Sequence, residues 1–300
     1  MSLVSVSTPK TFSPPSVLSP TLLSCLVAML PAILAGLFGL LIGSFLNACI
    51  FRFPRDITLW NPSRSFCPAC EKTIAWYDNI PVLSYLLLRG KCRHCQYAIP
   101  IRYILVELLC GIMYFVIVYR FGLSLPAAKL ALFGAINLEL AASDFEERIL
   151  PDEFTKGGVI AGLVLAWFQL LPVGFSSLVV PFDASLAMHS VVESAIGAGF
   201  GYCSLWAVAW LYLKFRGREG MGMGDFKMAA MVGAFLGLSP MLFSLMIGSV
   251  LGAVAGIVIV TFSKEEAATY EVPFGSFMGI AAFGVAWMEA VRGMADAVVH

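Results

Sequence analysis

Charge is what this sequence has least of. Only 13% of its 300 residues are Asp, Glu, Lys or Arg, about half the share found in a soluble domain. With 59% apolar residues and a mean hydropathy of +0.87, that scarcity excludes an ordinary soluble globule. Net charge is absent too: nineteen basic and nineteen acidic residues cancel, so the balance gives no ground for a nucleic-acid partner, and none is expected. The first twenty residues hold a single basic residue, Lys10. They lack the basic start of a cleavable signal and read as a flexible tail over 1–20, whose removal should matter little. No glycine-rich loop follows a strand-like run, so no nucleotide-binding fold is expected.

Long apolar runs are what the sequence has instead. They define an all-α polytopic membrane protein, with element lengths set by the bilayer. The first run, 21–51, exceeds one span and contains Pro31. A polar region follows over 52–101. Further spans are expected near 103–120, 126–142, 157–180 and 191–213. The stretch 228–262 makes two, divided at Ser239-Pro240, and the last covers 275–291. That gives about eight transmembrane helices. The third contains Lys129, Asn137 and Glu139, the weakest pattern of the set. Basic residues cluster in 52–101 and 214–227, while 121–125 and 181–190 carry none. The positive-inside rule therefore places both basic segments on the cytoplasmic face. By parity, 143–156 and 263–273 join them there, and the N-terminus lies outside.

Four cysteines lie singly in apolar runs, where the residue behaves as a small hydrophobe. The other four form two knuckles in the polar region, Cys67-Pro68-Ala69-Cys70 and Cys92-Arg93-His94-Cys95, twenty-one residues apart. Two such knuckles can converge four sulfurs on one ion, the pattern of a structural zinc site. Two disulfides or free thiols are the alternative, and the disulfides are disfavoured in a reducing compartment. A closed four-thiolate cluster has no open position, so no chemistry is assigned to it. It would hold a zinc-ribbon-like lobe over 52–101 whose apolar residues, among them Trp76, Ile80, Val82 and Leu83, cannot build a core alone.

Two acidic segments border the spans. One runs Ser143-Asp144-Phe145-Glu146-Glu147 to Asp152, and the other is Gly222-Met223-Gly224-Asp225. Glu146, Glu147 and Glu153 read as solvated, and Asp152 as a helix cap. Asp225 also suits a helix N-terminus, but its two glycines would permit positive φ or a close neighbour. If that neighbour brings Asp144, two carboxylates face each other at a low-dielectric boundary and one keeps its proton. Such a pair can hold and activate a water, as in aspartic proteases. Glu107 is either a functional group near the bilayer surface or a structural hydrogen-bond partner.

Taken in order, these pieces resemble the prepilin peptidase family from about residue 38 to 280. The resemblance is carried by Gly43-Ser44-Phe45-Leu46-Asn47, Arg52, both knuckles, Trp76 to Pro81, Ile101-Arg102-Tyr103 with Glu107, and Asp144 with Leu150-Pro151-Asp152 and Thr155. It continues through Gly222 to Asp225 with Lys227 and ends at Pro273-Phe274-Gly275. It implies a membrane aspartyl endopeptidase of the GxGD group, with Asp144 and Asp225 as the catalytic pair. The peptidase core would occupy 102–300, with 21–51 as the first transmembrane segment. Substrates would be prepilins or secretion pseudopilins, cut after a glycine at the cytoplasmic face of the bacterial inner membrane. S-adenosylmethionine-dependent methylation of the new N-terminus is also implied, with no residues assigned to it, alongside the zinc held by Cys67, Cys70, Cys92 and Cys95. The segment 171–190 is longer than the family's usual connection and is expected to be a tolerated outer loop. Three other readings stand beside this one: a presenilin-like intramembrane protease, a transporter with Asp144, Asp225 or Glu107 as proton relays, and an inactive zinc-stapled scaffold.

Overall fold

In a bilayer a segment must close its own backbone hydrogen bonds, and each long apolar run here does so as a helix. The computed structural model describes residues 20–218, 220–263 and 272–299. The expected tail, Pro20 apart, and most of the 263–273 connection lie outside the described residues. The helices are α1 (Pro20–Arg52), α2 (Leu83–Leu87), α3 (Arg102–Phe121), α4 (Leu125–Glu147), α5 (Asp152–Phe168), α6 (Leu186–Arg216), α7 (Met223–Leu236), α8 (Leu238–Ser263) and α9 (Phe274–Val299). Among the described residues extended pairing is limited to two isolated bridges, Phe66 with Thr73 and Lys91 with Ala98.

Six of these helices, α1, α3, α4, α6, α8 and α9, are long and apolar enough to cross a membrane. The other two expected spans are shorter. Helix α5 has 17 residues and stops at Phe168, well before 180. Helix α7 has 14, about 21 Å of rise against a hydrocarbon thickness of about 30 Å. It is enclosed by the bundle: Met228, Met231, Val232 and Phe235 have no accessible surface. Phe235 packs on Phe133 of α4 with ring centroids 4.9 Å apart. The polar residues that weakened the α4 pattern all face protein, with Lys129, Asn137 and Glu139 buried. That is where a membrane helix tolerates them.

Two expectations shift. The division within 228–262 falls at Gly237, which closes α7 with φ +82°, a conformation glycine adopts without penalty. Pro240 instead sits in the first turn of α8, where its missing amide costs no hydrogen bond. The 171–190 segment is also packed rather than loose. The Leu171 amide donates to the Ser190 hydroxyl, and the Ser176 amide donates to the buried Glu193 carboxylate.

Candidate active site and metal lobe

One end of the bundle gathers every segment expected to carry chemistry. Arg55 pairs with Glu147, joining the 52–101 lobe to the end of α4, and Arg102 at the start of α3 pairs with Glu146. Lys227 of α7 pairs with Asp152 at the start of α5. Glu147 is thus ion-paired to the lobe and Glu146 to the start of α3, rather than simply solvated.

Asp144 lies in the last turn of α4, only 6% exposed. Its Oδ2 accepts the Ser276 amide at 2.8 Å and the Ser276 hydroxyl at 3.0 Å. Ser276 opens α9, directly after Pro273-Phe274-Gly275, so the N-terminus of a second helix points its free amides and dipole at this carboxylate. Ser276 was not legible as a site residue. Its only signal was its place beside that short motif.

Asp225 is the third residue of α7, whose cap is Gly222. Its carboxylate accepts the Gly222 amide, half of a capping box, so the helix-cap reading holds for this residue. Asp225 lies outside the six spans. Burial, then the nearby Asp144 charge, pushes its acid up to about 7. The expected positive φ at Gly222 and Gly224 is absent: Gly222 has φ −76°, and Gly224 is not among the residues of positive φ. Close approach is what Gly224 supplies. A Cβ there would meet the Leu150 Cβ at 2.9 Å, and one on Gly275 would meet Leu150 at 3.0 Å. Leu150 thus wedges between the starts of α7 and α9, and its contacts set where the two helix ends sit around Asp144.

Asp152 does not cap α5: it is the first residue of the helix, whose N-cap position is held by Pro151 without a side-chain cap. Its carboxylate pairs with Lys156 at 2.7 Å and Lys227 at 2.5 Å. Both hold it below the usual carboxylate range, a committed anion. Glu107 accepts the Val82 amide at 2.8 Å, so its structural hydrogen bond is present.

The lobe is two copies of one device. Cys67 and Cys92 each donate their amide to a carbonyl five residues on, at Lys72 and Tyr97. Glu71 and Gln96 each close a turn back to the first cysteine with φ near +60°. Every correspondence is offset by 25 residues. The sulfurs of Cys67, Cys70, Cys92 and Cys95 all lie within 4.8 Å of one another, with Cys67 to Cys95 at 3.7 Å. A tetrahedral thiolate site with metal–sulfur bonds of about 2.3 Å has edges of about 3.8 Å, so the donor set fits a metal ion. The Cys95 and His94 amides draw Cys92 down to about 7. The Tyr97 amide favours the Cys95 thiolate, but desolvation and neighbouring sulfurs push it up to about 12. Four thiolates this close need a cation. Little else holds the lobe: Trp76 is 73% exposed and Leu83 49%, so neither forms a core. Arg52 supplies a polar substitute, donating to the carbonyls of Thr58, Leu59, Pro62 and Arg64 from the end of α1.

Fold and site together define a helical membrane protein with a four-cysteine lobe that could hold a metal ion, seated beside buried carboxylates. Residues 37–121 match the family model described as the bacterial Peptidase A24 N-terminal domain, and residues 131–257 match the type IV leader peptidase family. Three relatives carry the printed name prepilin leader peptidase/N-methyltransferase. The Pseudomonas putida protein is 33% identical, over 88% of this chain and 94% of its own. The Stutzerimonas stutzeri protein is 36% identical, over 81% and 86%. The Neisseria gonorrhoeae protein is 34% identical, over 75% and 81%. No solved structure matches. The chain belongs to the type IV leader peptidase family, and it is a membrane protease.

Proposed function

We propose that this chain removes the short basic leader of prepilins or pseudopilins after a glycine, at the cytoplasmic face of the inner membrane, with Asp144 and Asp225 as its catalytic pair. The peptidase core is 102–300, preceded by the tail 1–20 and the first segment 21–51, and the 52–101 lobe is a structural zinc module. The observation that carries the reading is the asymmetry of the two carboxylates. Asp144 faces two donors at the start of α9, whereas Asp225 keeps its proton to about pH 7 under burial and the Asp144 charge. A water held between them loses a proton to Asp144 while its oxygen attacks the scissile carbonyl carbon. Asp225 gives its proton to the carbonyl oxygen, and the carbon–nitrogen bond then breaks as the leaving amine takes the proton from Asp144 and one hydroxyl of the tetrahedral carbon returns a proton to Asp225. No side-chain nucleophile is required.

The new N-terminus is then methylated, as the relatives' name describes for them. S-adenosylmethionine supplies an electrophilic methyl group when bound. The test of the peptidase reading is cleavage of a prepilin with a basic leader by wild type, Asp144→Asn and Asp225→Asn. Both substitutions keep size and remove the ionisable group. Folded variants should each lose at least about a thousandfold in rate, since each removes half of the acid–base pair. Near-wild-type cleavage by either would refute the pairing.

A further inference from the structure

The four-cysteine lobe carries its leucines on the wrong side for a domain in water. In the short helix α2, Ser84 is buried and donates to the Tyr77 carbonyl, and the Tyr85 hydroxyl donates inward to the Ile99 carbonyl. Leu86 and Leu87 point outward, 61% and 73% exposed, with Leu83 beside them. A helix at a water surface turns its polar residues out and its apolar ones in. This one is reversed. We infer that α2 is seated in the surface of the bilayer, with Leu83, Leu86 and Leu87 among the acyl chains and the basic residues that follow them on acidic phospholipid headgroups.

Depth is the first support. The Val82 amide, at the head of α2, donates to Glu107 Oε2 at 2.8 Å. Glu107 lies five residues inside α3, about 7.5 Å along the helix from its first residue. Its side chain leans back toward the helix start, which sets Val82 alongside the first turns of α3 rather than beyond its end. Gly43 of α1 gives a second gauge. A Cβ there would meet the Glu107 Cα at 2.7 Å, so the two stand level. Gly43 is nine residues short of the end of α1 at Arg52, about 13.5 Å of rise. The turn into α2 therefore dips between two membrane-spanning helices. With 20 residues, α3 rises about 30 Å, no more than the hydrocarbon layer needs, so its first turns lie at the leaflet surface. Backbone at that level must find its partners within the protein. Val82, with φ +62°, finds Glu107.

Continuity is the second. The bond from Tyr85 brings α2 against Ile99, and Ile101, just beyond, is itself exposed. From Ile101 an exposed stripe runs through Leu105, Leu109 and Ile112, the spacing of one helix face, along a helix long and apolar enough to cross the membrane. The leucines of α2 extend that lipid-facing stripe sideways at its upper edge.

Charge is the third. Arg89 and Lys91 follow the leucines, both exposed and in no ion pair among the described residues. Basic residues beside an apolar interfacial segment attract acidic headgroups. The lobe then has two attachments, the leaflet through α2 and the end of α4 through Arg55 and Glu147.

The test replaces Leu87 with the photoreactive residue p-benzoylphenylalanine in the full chain, in nanodiscs of phosphatidylethanolamine with phosphatidylglycerol as the minor lipid. Adducts are read by mass spectrometry, after metal content and leader cleavage have been checked. The same probe at Leu109 gives the level of full lipid contact, and at Ser63, exposed on the lobe, the level in water. Lipid adducts at Leu87 should reach at least about ten times the Ser63 level, as for a side chain buried in the interface. Phosphatidylglycerol should be enriched about twofold among them over its share of the bilayer, and the enrichment should vanish in the double variant Arg89→Gln, Lys91→Gln. A yield no higher than at Ser63 means that the face meets water and overturns the proposal. Adducts to a second copy of the chain, or to an added prepilin, in place of lipid overturn it in favour of that partner. Lipid adducts without phosphatidylglycerol enrichment overturn the headgroup assignment. Should the Leu87 probe lose metal or cleavage, the same probe at Leu86 decides.

Discussion

The metal lobe and the carboxylate site lie at the same end of the molecule, yet they are held in place by opposite means. In the lobe the ligands are close in sequence, the apolar side chains are largely outside, and four sulfurs with one buried arginine do the work of a core. At the carboxylate site the partners come from 144, 225 and 276, each at the end of a different helix. Their positions are set by the packed bundle around α7. The first arrangement offers four converging sulfurs that could hold a metal ion, and the second depends on helix ends meeting around Leu150. Loss of one need not destroy the other, and that independence can be tested.

Stripping the metal with a strong chelator, or introducing Cys67→Ser, should have the largest structural effect. Amide protection across 65–99 should disappear, because metal binding in such modules is most of the folding free energy. Leader cleavage should fall less than tenfold, since Asp144, Asp225 and Ser276 keep their helix contacts. Collapse of cleavage with the lobe would break the comparison. Hydrogen exchange read beside the cleavage assay distinguishes the two.

Ser276→Ala should be smaller in effect and confined to the other region. It removes the hydroxyl donor to Asp144 but keeps the amide, so cleavage should drop about tenfold, the value of one hydrogen bond to a charged group. Metal content should be unchanged. A loss as deep as that of Asp144→Asn would show that the hydroxyl does more than orient the carboxylate.

How much of this was legible in the sequence follows from the same contrast. The knuckles could be read because both ligands of each pair lie three residues apart, and their geometry is local. The helices could be read from apolar runs, although α7 came out short because protein rather than lipid surrounds it, and α5 ends early at Phe168. Gly224 signalled a close neighbour but not which one, because Leu150 is a distant contact. Ser276 was invisible because its role depends on where α9 begins relative to α4, which no spacing encodes. Asp152 looked like a cap; it is ion-paired to Lys156 one turn along α5 and to Lys227, whose approach from α7 no local spacing encodes.

The smallest expected effect concerns stability. The Asp225 acid is raised in the folded chain above the ordinary carboxylate value of about 3.9, to about 7. Between those values the folded state binds the extra proton, so stability should decline as pH rises from about 4 to 7 and stay lowered above it. Asp225→Asn removes that penalty. It should raise the unfolding temperature by a few degrees at pH 8 and by almost nothing at pH 4, as a functional site relieved of a desolvated charge does. A variant less stable than wild type at pH 8 would contradict this.

The central claim is that one of the two carboxylates works as an acid, and its most direct test is leader cleavage as kcat/KM from pH 5 to 9. With Asp225 as the proton donor, the rate should fall about tenfold per pH unit above about 7, the value that burial and Asp144 impose on it. A rate that stays flat or rises through pH 9 would mean that Asp225 carries no proton into the reaction, and the paired-carboxylate account would fail.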